Sequence, residues 1–424
     1  MAERVCVIGA GSSGIAAAQV LQARGIPFDC FEKGSFVGGN WKYGNDNGAS
    51  AAYRSLHINT SRNQMQYASY PMPDHLPDYP SHWEIAAYFD DYVDHFGLRE
   101  RITFNTEVTS VVPVEGEWEV TAGGTRQRYR AVLVANGHHW DPRWPSFPGT
   151  FDGTVMHAHD YREPSVFEGK RVLVLGIGNS ACDIAVESSR VADKTFLAMR
   201  RGAHVLPKYL RGKPTDEASS PAFSRLPLAV QRMFFTPMLR LTTGDPTDYG
   251  LPAPDHKLLS AHPTISSDLL PRLGHGDITV KPNIDRYDGS EVVFVDGTRE
   301  QVDLVVYCTG YRISFPFLSP DVLDTTDNKV ELYRRMVVPS QPGLWFLGLL
   351  QPLGSVMPLA EAQAEWAADL LQGRCSLPSV GQMERDVARF QAKMAKRFVA
   401  SPRHTIEVDF HPYLRALAKE RRRR

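Results

Sequence analysis

The chain has 424 residues, room for two to three domains at about 150 residues each. Its 47 basic and 48 acidic residues leave a net charge of −1, so no long-range field draws it to nucleic acid or to an anionic membrane. Apolar residues make up 42% and charged residues 22%, which excludes a disordered chain, a collagen-like repeat and a coiled coil.

The chain opens on a short apolar run, residues 4–8, suited to a buried parallel strand. No basic stretch, apolar stretch and cleavage site precede it, and no apolar run reaches the roughly 18–20 residues that span a bilayer. A cytoplasmic protein with no membrane partner is expected. Gly9-Ala-Gly-Ser-Ser-Gly14 follows, then a helix over residues 15–24 that stops near Gly25 and Pro27, then a strand over 28–32. Ser81 and Glu84 form a capping box, and Ile85, Phe89, Tyr92 and Phe96 line one face of the helix it starts. Short strands are expected at residues 102–105, 108–112, 118–121 and 131–135.

The opening pattern then recurs. A strand at 171–175, the turn Gly176-Ile-Gly-Asn-Ser-Ala181, a helix over 182–189 and a strand at 195–199 repeat its order. The fold class is therefore α/β, with two Rossmann-like dinucleotide-binding units in one chain. Residues 207–271 are proline-rich and read as an irregular insertion with short helices. Strands return at 278–280, 292–295 and 304–307, and helices at 359–371 and 382–398. The basic tail, residues 421–424, reads as a solvated, frayed end. The five cysteines, Cys6, Cys30, Cys182, Cys308 and Cys375, are odd in number and scattered through apolar segments. They read as buried free thiols, and no CxxC pair supports a local disulfide redox site or a thiolate zinc site.

The glycine turns carry the first chemical argument. Gly9 permits the tight turn, Gly11 lets backbone approach a pyrophosphate, and Gly14 lets the helix lie close to the sheet. The helix N-terminus, with the Ser13 amide, faces the phosphates with its partial positive charge. Glu32 ends the next strand, where a carboxylate accepts hydrogen bonds from a ribose. In the second turn Gly176 and Gly178 stand with Ala181 in the third position, a variant often associated with the phosphorylated nicotinamide cofactor. Arg200 and Arg201 follow the next strand, where a carboxylate would repel a 2′-phosphate and guanidinium groups pair with it. Two units imply two dinucleotides, FAD in the first and NADPH, favoured over NADH, in the second.

Several ordered segments resemble the flavin-containing monooxygenases over nearly the whole chain. They are Gly38-Gly39-Asn40-Trp41, Tyr53-Arg-Ser-Leu-His-Ile-Asn59-Thr60, and Phe151-x-Gly153-x-x-x-His157-x-x-x-Tyr161 between the two units. Gly178-Asn179-Ser180, Cys308-Thr309-Gly310-Tyr311, Gly348-Leu-Leu-Gln351-Pro-Leu-Gly354 and Glu361-x-Gln363-x-x-Trp366 complete the set. Cys308 stands where the family has alanine, and Tyr161 fits the heteroatom-oxidising branch, since the Baeyer–Villiger branch ends this fingerprint in tryptophan.

The resemblance implies residues 1–160 as the first part of an FAD domain, 161–300 as an NADPH domain and 301–424 as the second part of the FAD domain. It implies that NADPH reduces FAD, that oxygen adds at flavin C4a to give a hydroperoxide, and that an amine nitrogen or sulfide sulfur attacks the distal oxygen. The cofactor carries the chemistry, so no catalytic triad is required. Asn59 is the one side chain expected to act chemically, because an amide both donates and accepts a hydrogen bond at the flavin edge. Gly39, Asn40, Trp41 and His57 are expected beside the flavin or nicotinamide, Val108 at the adenine end, Gln351 near the flavin ring, and Asn179 and Ser180 at the second nucleotide. Baeyer–Villiger oxygenation of a ketone, an NADPH oxidase or reductase, and a non-catalytic nucleotide sensor are the competing readings. His157-x-His159 has metal-compatible spacing, but no carboxylate or cysteine pattern supports it and no metal is expected. The sequence is compatible with a homodimer.

Overall fold

A run that is apolar at every position can satisfy its backbone and both faces only inside a covered parallel sheet. Val5–Ile8, fully buried, is such a run, and it is the central strand of a five-stranded parallel sheet. The computed structural model describes residues 2–218, 223–398 and 405–424. The described chain forms two compact units, one of Met1–Ala52, Leu56–Asp141 and Tyr311–Arg424, the other of Tyr53–Ser55 and Pro142–Gly310. The divisions thus fall at Asp141 and Gly310, short of residue 160 and beyond residue 300, and three residues of the early chain belong with the second unit.

In the first unit the strand order is Leu344–Phe346, Ala131–Val134, Val5–Ile8, Phe28–Phe31, Ile102–Thr103, every pair parallel. The helix Ser12–Ala23 follows the central strand and packs against Met357–Leu371. Val108–Val114, Glu117–Ala122 and Thr125–Tyr129 form an antiparallel meander before the chain returns to Ala131–Val134. The helix His82–His95 starts at Ser81 with the expected capping box, Glu84 N–H donating to Ser81 and the Glu84 carboxylate accepting from Ser81 N–H.

The second unit repeats this plan. Its order is Thr154–His157, Leu304–Tyr307, Arg171–Leu175, Lys194–Ala198, Ile278–Lys281, again all parallel. A meander of Ile284–Asp288, Glu291–Phe294 and Arg299–Gln301 precedes the return strand, as in the first unit. The two differ in the source of the fifth strand. It comes from the C-terminal part of the chain in the first unit and precedes the central strand in the second.

Three expectations need correction. The strand Thr125–Tyr129 is absent from the pattern reading because four of its five residues are polar and exposed, so no apolar alternation marks it. The proline-rich insertion holds one 16-residue helix, Leu228–Thr243, with Pro237 inside it, rather than short helices only. The basic tail is tied down, not frayed. The helix Phe410–Glu420 packs on Met357–Leu371 and brings Arg421 beside Asp369 (Nε to Oδ2, 2.6 Å) and Glu365 (3.1 Å). No helix among the described residues is long and apolar enough to cross a membrane.

Candidate functional site

The central strand of each unit ends in a glycine turn, and the physical demand on these glycines is now explicit. Gly9 has φ +97°, and a Cβ on it would lie 2.9 Å from the Ala135 carbonyl oxygen. A Cβ on Gly14 would lie 1.8 Å from the Gly9 carbonyl oxygen, so the third glycine is fixed by helix–turn contact. A Cβ on Gly11 would meet nothing nearer than Gly39 at 3.6 Å. Packing therefore does not require that glycine. In the second unit Gly176 has φ +142° and would put a Cβ 2.7 Å from the Cys308 carbonyl oxygen.

Behind each turn stands a helix whose N-terminus is bare. Ser12–Ala23 and Asn179–Ser188 have glycine N-caps, Gly11 and Gly178, and neither receives a side-chain cap. The first intrahelical bonds are Ile15 N–H to Gly11 O and Cys182 N–H to Gly178 O, so the amides before them point out of the helix without a helical acceptor. The helix at Ser81, by contrast, spends side-chain oxygen on the same problem. Two uncapped N-termini at the carboxyl ends of two parallel sheets are ready anion sites, and the pyrophosphate of a dinucleotide fits each.

Glu32 is 3% exposed and clamps the first turn. Its carboxylate accepts from Ala10 N–H (2.7 Å), Gly34 N–H (2.9 Å) and Asn47 Nδ2 (2.9 Å). A carboxylate offers about four acceptor directions, so one remains for a ribose hydroxyl. Gly38 N–H donates to Ala10 O, and Asn45 Nδ2 donates to Gly39 O, so residues 38–41 lie against the turn. The Asn40 side chain accepts from Ala51 N–H (2.8 Å), a bond that fixes the following loop. Trp41 is half-buried against the core, and Ser13 is buried where Gly348, φ +70°, leaves no room for a Cβ beside the Ser13 hydroxyl.

Asn59 sits in a frame fixed on both sides. Ile58 N–H donates to Pro80 O (3.0 Å), and Arg62 N–H donates to Asp78 O (2.7 Å). The half-buried Asn59 amide itself has no protein hydrogen-bond partner among the described residues. His57 is exposed and bridges to Ser81 through backbone. Val108 is buried at the start of the first meander, and Gln351 pairs with Glu407 in a two-stranded ribbon. Among the described residues, neither of them is hydrogen-bonded to the glycine turn.

In the second unit Asn179 turns its side chain to the protein: Oδ1 accepts from Ile265 N–H (2.8 Å), while the Thr264 hydroxyl donates to Ile177 O (2.6 Å). These bonds fasten the end of the long insertion to the glycine turn. Ser180 is exposed on the first turn of the helix, and Arg200 is exposed with no ion-pair partner among the described residues. Arg201 pairs with Asp255, Nε to Oδ2 at 3.7 Å. On the same helix Asp183 accepts from the Tyr53 hydroxyl, and Glu187 accepts from both Ser55 and Tyr161. His157 is fully buried, its Nδ1 accepts from His159 N–H (3.0 Å), and burial, then His159, brings its pKa down to about 4. No group of three metal-ligating side chains occurs among the described residues.

Burial raises the Asp183 carboxyl to a pKa of about 6, against the opposing pull of the Tyr53 hydroxyl and Lys208. The folded protein therefore holds this proton more tightly than the unfolded chain does. The stabilisation is complete below the ordinary value of 3.8 and is lost as pH rises through about 6. Asp183→Asn keeps an acceptor for Tyr53 and removes the titration. Its stability relative to the parent should rise by on the order of 1–3 kcal/mol between about pH 4 and pH 7 in paired thermal melts. A constant difference across that range would refute the assignment.

Sequence reasoning passed over Asn47, Ile265 and Asp255, and gave Gly348 no role beyond its place in a motif. Only Gly348 had a local signal, its place in the 348–354 segment. Glu361 and Gln363, quoted there as a motif, have plain structural work. Glu361 accepts from Ala68 and Ser69 N–H, and Gln363 accepts from Gly348 N–H (2.8 Å), holding that glycine in place.

The profile of the FMO-like family, flavin-binding monooxygenase-like, matches residues 2–422. Flavin-containing monooxygenase 5 of Oryctolagus cuniculus is 39% identical over 430 residues, covering 96% of this chain and 80% of its own length. The N-oxide-forming dimethylaniline monooxygenase 2 of Mus musculus is 37% identical over 444 residues, covering 99% and 83%. Among solved structures, S-allyl-L-cysteine S-oxygenase from Allium sativum superposes with a TM-score of 0.75 at 26% identity, covering 100% of this chain and 89% of that one. An open cyclohexanone monooxygenase has a TM-score of 0.74 at 19% identity, covering 98% and 97%, which speaks to the fold alone.

Proposed function

The chain belongs to the flavin-binding monooxygenase-like family, and from that premise we propose that it oxygenates soft nucleophiles, amine nitrogen or sulfide sulfur, with FAD held at the first glycine turn and NADPH at the second. The single observation that carries this reading is the pair of uncapped helix N-termini, each behind a glycine turn at the carboxyl end of a parallel sheet. Bound FAD supplies the redox and oxygen chemistry, and NADPH supplies the hydride.

The protein's share is binding, orientation and exclusion of water. Gly11 and the amides behind it receive the flavin pyrophosphate, and Glu32 offers its remaining acceptor direction to the ribose. Asn59, held rigidly and with its amide uncommitted, donates and accepts at the flavin edge without the charge that an ionised carboxylate would bring. The bonds of Asn179 to Ile265 and of Thr264 to Ile177 keep the second turn in shape for the nicotinamide nucleotide. Tyr161, whose identity at the end of the 151–161 fingerprint is what fits the heteroatom branch, stacks on Phe167 with ring centroids 5.2 Å apart. The N-oxide-forming and S-oxygenating relatives favour that substrate class over ketones.

Arg200 is assigned to the 2′-phosphate. Arg200→Ala should raise the NADPH concentration needed for half-maximal anaerobic bleaching of the flavin by about ten- to hundredfold, the worth of a charge-assisted contact. The NADH dependence should stay put, and an equal effect on both cofactors would remove the assignment.

A further inference from the structure

The arginine pair after the Lys194–Ala198 strand does not face solvent alone, because the insertion folds back on it. A Cβ on Gly202 would lie 2.0 Å from the Pro252 carbonyl oxygen, so the backbone of the arginine turn touches residues 252–253 directly. His204 Nε2 donates to the His256 carbonyl (3.0 Å), and the two rings meet edge to face at 5.2 Å. Between these contacts Asp255 places its carboxylate on Arg201, 3.7 Å from Nε. His256 Nδ1 holds the same carboxylate at 2.9 Å, the only sense open to an ionised acceptor being donation from the ring. Asp255 is thus fixed from two sides beside the place a 2′-phosphate would take. Arg200, its neighbour in sequence, has no such partner among the described residues.

Resting on the assignment of this turn to the 2′-phosphate, we infer that Asp255 is a specificity-determining residue, an internal anion that occupies Arg201 and competes with the cofactor's phosphate for it. A dianionic phosphate arriving at the turn meets one free guanidinium and one already neutralised, with a carboxylate close by. Asp255 therefore weakens the phosphorylated cofactor selectively. A nucleotide that lacks the 2′-phosphate neither needs Arg201 nor feels the repulsion. The wild-type preference for NADPH is set below what two free arginines would give.

Asp255→Asn tests this, since asparagine still accepts from His256 and loses only the charge. Equilibrium binding of NADP⁺, NAD⁺, 2′,5′-ADP and 5′-AMP to the FAD-loaded enzyme is measured for wild type, Asp255→Asn, Asp255→Ser, Arg200→Ala and Arg201→Ala. Both Asp255 variants should bind NADP⁺ and 2′,5′-ADP about three- to tenfold more tightly, with NAD⁺ and 5′-AMP unchanged, the size expected for one partly exposed charge. An unchanged melting temperature certifies each fold. Unchanged or weaker NADP⁺ binding in both Asp255 variants overturns the inference, weaker binding meaning that Asp255 positions Arg201 instead of competing for it. The underlying assignment fails separately, if wild type does not prefer NADP⁺ and neither arginine variant affects NADP⁺ more than NAD⁺.

Discussion

Gly14→Ala is expected to yield a protein that purifies without flavin and melts well below the parent. The new methyl would sit 1.8 Å from the Gly9 carbonyl oxygen, a backbone atom that no rotamer change can move. Relief requires the Ser12–Ala23 helix to back away from the turn, which strips the anion site of its amides and loosens contact with the Met357–Leu371 helix. Overpacking of this kind costs about 3 kcal/mol, and the same displacement should weaken flavin binding about a hundredfold or more. Gly11→Ala is the informative contrast. Its methyl meets nothing closer than 3.6 Å, so the fold should persist while the approach to the pyrophosphate is filled. The ratio of flavin to protein absorbance, read beside the melting temperature, separates the two. Flavin retained at the parental level in Gly14→Ala would mean that the turn does not bind it.

Asn59→Asp is expected to keep flavin and lose oxygenation. The residue lies between backbone bonds at Ile58 and Arg62 that the change does not touch, so the loop should hold its shape. What changes is the side chain's chemistry: an amide that both donates and accepts becomes a charged group that only accepts. Product formed per NADPH should fall by about tenfold or more, with the missing oxygen recovered as hydrogen peroxide, since loss of one hydrogen bond to a charged group costs about 1.5–3 kcal/mol. Parental product yield per NADPH would defeat the role given to Asn59.

What the sequence could reveal was whatever a few neighbouring residues determine. The two strand–turn–helix units stand out because burial makes residues 5–8 and 172–175 apolar and sterics make Gly9, Gly14 and Gly176 glycine. The capping box at Ser81 is legible for the same reason. The duplication of strand order, meander included, was only half legible, because Thr125–Tyr129 pairs by backbone at an exposed edge and carries no apolar pattern. Contacts distant in sequence were not legible at all. Nothing near Asn179 says that its side chain holds Ile265, nothing near Arg201 points to Asp255, and nothing in the basic tail announces Asp369 as the partner of Arg421. Such residues look like ligands or surface charges until the fold supplies their partners.

The central claim is transfer of an oxygen atom from O₂ to a soft nucleophile at the expense of NADPH. The direct measurement is turnover of the FAD-loaded protein under ¹⁸O₂ with NADPH and a thioether, with the product analysed by mass. The expected product is a sulfoxide whose oxygen carries the label, formed in step with NADPH consumption. Unlabelled sulfoxide, or NADPH consumed with peroxide as the sole oxygen product, would contradict it.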